Sequence, residues 1–218
     1  MKLLAFAASL RSGSLNQKLV ALAAGLAREE GAQVDLADFR EFAMPIYDGD
    51  EDAANGLPPG ALELKRRVEA ADGLLIAAPE YNYSVSGALK NAIDWLSRAR
   101  PMPWRGRSVY LLSASPSPMG GIRGLWQTRI PLEGCGALVF PDMFALPHAK
   151  EAFGEDGQLR DPGQRERLRR ELAGFVRLAE AVAPLCATAR GPGPAAPLRP
   201  QLMTALESET ELQPPGHG

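Results

Sequence analysis

The strongest constraint on the fold is an alternation between short apolar runs and longer segments with helical periodicity. The run Leu74–Ala78 is apolar at every position, whereas a strand with one face in water alternates apolar and polar residues. Such a run is typical of a parallel sheet that helices cover on both faces. Five runs are predicted to form strands: Leu3–Ala8, Gln33–Asp38, Gly73–Ala78, Ser108–Ala114 and Ala137–Phe140.

The segments between these runs carry apolar residues on one helical face. Residues 15–26 repeat leucine at the spacing of one side of a helix, and residues 89–96 and 168–182 repeat the pattern. Asp161 and Pro162, which favour the N-cap and first position of a helix, precede the last stripe. Strands joined by helices predict an α/β fold, a doubly wound five-stranded parallel sheet with helices on both faces.

The composition changes near Pro184. Residues 188–218 are rich in proline and glycine and have almost no apolar periodicity. Such a segment cannot bury enough apolar surface to offset the entropy lost on ordering. We therefore expect one domain over residues 1–187 and a flexible tail over residues 188–218.

Charge and composition exclude several classes of function. The net charge of −2 argues against a dedicated nucleic-acid or membrane-surface binder. Two histidines and two cysteines, without a Cys/His cluster, supply neither a zinc site nor a disulfide framework. No apolar run reaches the ~20 residues of a membrane span. The apolar start of the chain is interpreted as a buried strand rather than a signal peptide, so we expect a cytoplasmic protein.

The loop after the first strand is unusually polar. In doubly wound sheets ligands bind beyond the carboxyl ends of the strands, and Ser9–Asn16 places serines, Asn16 and Arg11 there at a predicted helix N-terminus. Unpaired backbone N–H groups and the helix dipole favour an anion, and Arg11 adds charged donors. The alternative is a capping box formed by Ser14 and Gln17. The composition favours a phosphate site, although it is neither a Walker A loop nor a GxGxxG loop.

Two further loops follow the third and fourth strands. Pro79–Ser84 contains two tyrosines, a proline and an asparagine, which offer flat apolar surface and hydrogen-bonding groups to a planar ring. Glu80 has no second carboxylate beside it, so we expect it to hold the loop or a subunit contact rather than act as a general acid. The small residues of Ser113–Gly121 permit close backbone approach to a ligand, and they fit an ordinary loop equally well.

These motifs resemble those of the NAD(P)H-dependent FMN reductase family, which includes quinone, chromate and azo-dye reductases. Ser9-Leu10-Arg11-x-x-Ser14-x-Asn16 is similar to the family's first loop, and Pro79-Glu80-Tyr81-Asn82 is similar to its second. The segment Leu89–Trp95 resembles the helix that follows. The resemblance extends over residues 1–185, and the order of the motifs makes it specific.

The resemblance implies a flavodoxin-like fold with strand order 2-1-3-4-5 and non-covalently bound FMN. It implies that the phosphate lies in the first loop, the flavin ring on the second, and the ring's pyrimidine edge near residues 115–121. It also implies a homodimer or homotetramer, with the helix after the second loop at the interface. The implied cofactor-binding residues are Ser9, Arg11, Ser14, Leu15, Asn16, Pro79, Glu80, Tyr81, Asn82, Ser115 and Gly120.

The implied function is an oxidoreductase that moves hydride from NAD(P)H through FMN to a quinone, flavin, azo or metal-oxyanion acceptor in a ping-pong cycle. No catalytic side chain is expected because the cofactor carries out the chemistry. One alternative is a flavodoxin-like FMN electron carrier without nicotinamide oxidase activity, which the weak net charge disfavours. Another is a non-flavin nucleotide- or phosphate-binding regulator that uses the same loops.

Overall fold

Five parallel strands form the central sheet of the computed structural model, which describes residues 1–189. Its strands are β1 (Lys2–Ala7), β2 (Gln33–Ala37), β3 (Gly73–Ala77), β6 (Ser108–Ala114) and β7 (Leu138–Leu146). Between them β4 (Glu80–Tyr81) and β5 (Ser84–Val85) form a separate antiparallel hairpin. The sheet order is β2-β1-β3-β6-β7, so the predicted doubly wound topology and its strand order are confirmed.

Helices cover both faces of this sheet. They are α1 (Leu15–Glu29), α2 (Gly49–Asn55), α3 (Pro59–Ala70), α4 (Gly87–Arg98), α5 (Ile122–Gly134), α6 (Ala149–Ala152) and α7 (Pro162–Ala189), with a 3₁₀ helix at Phe39–Phe42. One apolar cluster packs α1 and α7 against the sheet, and a second packs α3, α4 and α5 against the other face. All five residues of β3 are buried, as its continuous apolar run predicts.

The described part of the chain begins with a buried strand and ends with a long helix. The apolar N-terminal segment is β1, which pairs with both β2 and β3 and lies inside the sheet. At the other end α7 continues to Ala189, two residues into the segment predicted as a tail. The remainder of that segment, residues 190–218, lies outside the described residues. No helix among residues 1–189 has the length and apolar character needed to cross a bilayer.

Strand β7 is longer than the sequence pattern predicts. The apolar run Ala137–Phe140 predicts a strand that ends before Pro141, yet the strand continues to Leu146. It lies at the sheet edge, where a proline is tolerated, and its register against β6 shifts at this point. The Arg129 guanidinium donates to the carbonyls of Phe140 and Val139 at 2.7 and 3.2 Å, which protects that edge.

Helix α5 was not indicated by an apolar stripe because its pattern is partly inverted. Gly124 and Thr128 face the core beside Leu125, whereas the large side chains of Trp126 and Ile130 are exposed. The Thr128 hydroxyl is satisfied internally, donating to the Gly124 carbonyl at 2.7 Å. Small inward residues allow α5 to approach the hairpin closely.

Candidate functional site

A cleft of about 430 Å³ opens at the carboxyl ends of β1, β3 and β6. The chain passes from β1 outward to β2 and from β3 outward to β6, in opposite directions along the sheet. Ligands of open α/β sheets bind at such a switch point, beyond the carboxyl ends of the strands. The first loop, the start of the hairpin, the end of β6 and a lysine of α6 form its walls. Its lining residues are Ser9, Arg11, Gly13, Ser14, Leu15, Asn16, Pro79, Glu80, Tyr81, Ala114, Ser115, Pro116 and Lys150.

All the predicted site residues except Asn82 and Gly120 line this cleft. Asn82 (φ 49°) and Tyr83 (φ 66°) form the hairpin turn, and two successive left-handed residues match the twist of a tight hairpin. Gly120 packs against the end of β7 instead, where an added Cβ would lie 2.9 Å from the backbone of Leu146. Glycine is required at that position by close packing and by its φ of +63°.

At one end of the cleft the first loop keeps its polar groups available. Ser14 is the N-cap residue of α1, but its side chain makes no cap hydrogen bond, so the capping-box alternative is wrong. The Ser9 hydroxyl accepts from the Arg11 backbone N–H at 3.4 Å, and the Arg11 guanidinium donates to the Gly13 carbonyl at 3.3 Å. Arg11 pairs with no carboxylate among residues 1–189. These groups are placed to meet an anion.

Asn16 differs from its neighbours because its side chain is committed to the fold. Its Nδ2 donates to the Ala114 carbonyl at 3.1 Å, and its Oδ1 accepts from the Ala114 N–H at 2.9 Å. The side chain is buried and joins the start of α1 to the end of β6. Asn16 therefore positions the first loop relative to the third.

At the other end Glu80 is fully engaged within the chain. One carboxylate oxygen accepts from Arg123 Nε and Nη2 at 3.0 and 2.6 Å, and the other accepts from the Gly124 N–H at 3.1 Å. The Glu80 side chain is only 8% exposed. Its charge also lies at the N-terminal turn of α5, where the helix dipole favours an anion. Glu80 therefore holds the loop, as the sequence led us to expect.

The hairpin that carries Tyr81 rests closely on α5. An added Cβ at Gly124 would lie 2.9 Å from the Cβ of Glu80 and 3.2 Å from the carbonyl oxygen of Ser84. The Arg123 guanidinium also stacks on Tyr83, 4.3 Å from the ring centroid. Tyr81, on the other side of the turn, lines the cleft and is half exposed.

Sequence reasoning missed Lys150 and Arg123. Lys150 follows β7 by four residues, and the premature predicted end of that strand placed it far from any strand end. The Ala149 N–H donates to the Ser115 carbonyl at 3.0 Å, and the Ser115 N–H donates to the Leu146 carbonyl at 3.1 Å, which brings this segment to the cleft. Arg123 lies in α5, a helix that the pattern did not indicate.

Within residues 1–189, Cys135 and His148 do not line this cleft. Burial raises the pKa of the Cys135 thiol, and the negative charge of Asp94 adds to this, so the group is not poised as a thiolate. His148 lies beyond the cleft lining, and its backbone N–H donates to the Ser117 carbonyl at 3.3 Å. Over residues 1–189 no three His, Cys, Asp or Glu side chains converge on a metal-sized site.

Comparison with known proteins matches this site to a family. A family model described as NADPH-dependent FMN reductase matches residues 1–151. An NAD(P)H-dependent FMN reductase of Pseudomonas aeruginosa is 37% identical over 179 residues, which span 79% of this chain and 91% of that protein. A quinone reductase of Escherichia coli K12 is 34% identical, over 77% of this chain and 89% of that protein.

Solved structures agree with the fold and the family. The flavoenzyme NAD(P)H:acceptor oxidoreductase of Paracoccus denitrificans superposes with a TM-score of 0.72 at 29% identity, covering 83% of this chain and 98% of that one. A flavodoxin from Bacillus cereus, at 16% identity and a TM-score of 0.51 over 81% of this chain and 98% of its own, shows the shared fold alone. The resemblance drawn from the loop motifs is confirmed. The chain belongs to the NADPH-dependent FMN reductase family, a family of flavodoxin-like oxidoreductases with FMN as cofactor and NAD(P)H as co-substrate.

Proposed function

We propose that the cleft binds FMN without a covalent bond, with the phosphate on the first loop and the flavin ring against Pro79–Tyr81. The observation that carries this proposal is the uncommitted polar groups of the first loop, above all the Ser14 hydroxyl, which makes no cap hydrogen bond. The Pro79 and Tyr81 side chains supply flat apolar surface at the opposite wall. Ser115, which also lines the cleft, would approach the edge of the ring.

In the proposed reaction the protein binds and orients, and no side chain acts as an acid, base or nucleophile. FMN supplies the chemistry when bound, accepting a hydride from NAD(P)H and returning two electrons to an acceptor. Glu80 supplies the only carboxylate that lines the cleft among residues 1–189, and it is held by Arg123 and the Gly124 N–H and is not free to move a proton. Because the cleft is shared, the two substrates would bind in turn, which is a ping-pong cycle.

Quinones are the acceptor class we favour over flavin, azo and metal-oxyanion acceptors. Several relatives carry the name quinone reductase, and one of these is 34% identical. A quinone is a planar, largely apolar ring, and the Tyr81 wall suits such a molecule. A cytoplasmic location, where NAD(P)H is supplied, is part of this proposal.

The test is an absorbance spectrum of the purified full-length protein, followed by anaerobic titration with NADPH and NADH and then addition of benzoquinone. We expect a flavin spectrum that NAD(P)H bleaches and the quinone restores, with parallel lines in initial-rate plots. A flavin that NAD(P)H leaves oxidised would indicate an electron carrier. A protein that neither contains nor binds flavin would indicate a phosphate-binding regulator.

We further propose that the chain forms a homodimer or homotetramer. The exposed apolar side chains of Trp126 and Ile130 lie one turn apart on α5, and such clustered apolar surface marks protein contacts. The exposed side of α4 is polar, including Lys90 paired with Asp94 at 2.7 Å, so α5 is the better candidate than the helix expected from the resemblance. Light scattering of Trp126→Glu, against Lys90→Glu as control, tests this assignment.

A further inference from the structure

Lys150 reaches the cleft from the face of the sheet on which α1 begins. Its side chain lines the cleft together with Arg11, Ser14 and Asn16. The preceding residue, Ala149, is buried in the same apolar cluster as α1. Ala149 also donates to the carbonyl of Ser115, and the neighbouring Ala114 is held by Asn16, so the lysine enters the cleft on the side where α1 begins and where the phosphate is proposed to bind.

The charges of the cleft do not cancel. Among the described residues three charged side chains line it: those of Arg11, Glu80 and Lys150. Glu80 is neutralised by Arg123, which lies outside the lining, through contacts of 2.6 and 3.0 Å. Neither Arg11 nor Lys150 forms an ion pair within the part of the chain that the structure describes. Two uncompensated positive charges thus remain beside the available groups of the first loop.

We propose that Lys150 is a second cation for the FMN phosphate and makes the cleft selective for the phosphorylated flavin. This inference rests on the proposed placement of FMN. A phosphate monoester carries about −1.5 to −2 charges at pH 7, so Arg11 alone leaves part of that charge unbalanced. The two cations are complementary in kind, because arginine offers a planar fork of donors and lysine a compact point charge.

The test compares FMN and riboflavin binding to flavin-free, full-length protein, measured by quenching of flavin fluorescence. Riboflavin lacks the phosphate and is otherwise the same molecule. For Lys150→Met we expect FMN to bind about tenfold more weakly, the loss of one charge-assisted contact, and riboflavin to bind unchanged. Lys150→Arg keeps the charge and should retain most of the FMN affinity.

Lys18→Met is the matched control, because Lys18 is an exposed lysine one turn into α1 that does not line the cleft. It should leave both affinities unchanged. Equal losses for FMN and riboflavin in Lys150→Met would show that the lysine only shapes the cleft, and undiminished FMN binding would show that it does not meet the phosphate. Both results overturn the inference.

A third result would reassign the lysine. If Lys150→Met leaves FMN binding intact but raises the KM for NADPH and not for NADH, the side chain meets the nicotinamide nucleotide's phosphate, and the inference is wrong. Failure of the underlying proposal is separately visible in the wild-type protein. Wild type that binds riboflavin as tightly as FMN has no phosphate end, whatever Lys150 does.

Discussion

The two ends of the cleft differ in how their polar groups are satisfied. At the first loop the Ser14 hydroxyl makes no cap bond, and Arg11 has no carboxylate partner among the described residues. At the hairpin Glu80 accepts three hydrogen bonds from α5. The first loop presents polar groups whose partners would come from a ligand. At the hairpin the charge of Glu80 is used to hold the hairpin against α5.

Within one site, some residues should therefore determine ligand affinity and others the stability of the fold. Groups that are free in the fold can be removed with little effect on stability and a large effect on the ligand they meet. Groups that are engaged in the fold have the opposite signature, because their removal leaves a buried partner unsatisfied. Five substitutions sharpen the comparison, beginning with the largest expected effect.

Glu80→Ala should lower the free energy of unfolding by about 3 kcal/mol, near the lower bound for breaking a buried ion pair, since Arg123 is 35% exposed and can reach water. Urea denaturation of flavin-free protein measures this. Glu133→Ala is the matched control: its carboxylate pairs with Arg129 on the same helix but is 46% exposed, so it should cost less than about 1 kcal/mol. Equal costs would mean that the hairpin clamp adds nothing beyond a surface pair.

Arg11→Ala should weaken FMN binding by about 2 kcal/mol, roughly thirtyfold, and leave riboflavin binding and stability unchanged. Ser14→Ala should act in the same direction with a smaller loss, since it removes a neutral donor and no cap bond. Fluorescence titration with the two flavins measures both variants. A stability loss in Ser14→Ala as large as that from removing a side chain that makes a cap hydrogen bond would contradict the free hydroxyl.

Asn16→Ala should lower stability, as Glu80→Ala does, although Asn16 belongs to the first loop. Two hydrogen bonds to Ala114 are lost in a buried setting, so we expect about 1–2 kcal/mol of lost stability. Because the phosphate-binding loop is then misplaced, FMN binding should weaken together with stability, and riboflavin binding should weaken less. Weaker FMN binding with unchanged stability would make Asn16 a direct phosphate ligand instead.

The sheet topology could be predicted because buried parallel strands leave a direct signature, as in the continuous apolar run of β3. The end of β7 could not, since Pro141 at a sheet edge is tolerated by pairing geometry that the apolar pattern does not record. That single error removed Lys150 from consideration. Helix α5 was missed because its close packing on the hairpin selects small inward residues, such as Gly124.

For the site, the sequence identified most of the lining but not the division of labour within it. Asn16 and Ser14 are alike as short polar residues in one loop, and only the position of Ala114 beside Asn16 distinguishes them. The partner of Glu80 is 43 residues away in the chain. Such contacts join residues that are distant in the sequence, and they depend on how separate helices and strands pack. No local motif contains that information.

Tyr81→Ala should have the smallest effect on stability and FMN affinity, and the most specific effect on turnover. The tyrosine lines the cleft but is half exposed, so its removal costs little stability and leaves the phosphate contacts intact. We expect full FMN content and native mass, with kcat/KM for quinones changed by up to about fivefold, or ~1 kcal/mol. The reason is that the tyrosine contacts the flavin ring and the quinone, which change during the reaction, and not the phosphate. Tyr83→Ala is the control across the same turn: it stacks under Arg123 and lies outside the cleft lining, so quinone kinetics should be unchanged. Rapid-mixing measurements of both half-reactions for several quinones decide the matter. If Tyr81→Ala and Tyr83→Ala both give the same rates as wild type, the hairpin has only a structural role. In that case only the first loop of the cleft contributes to ligand binding.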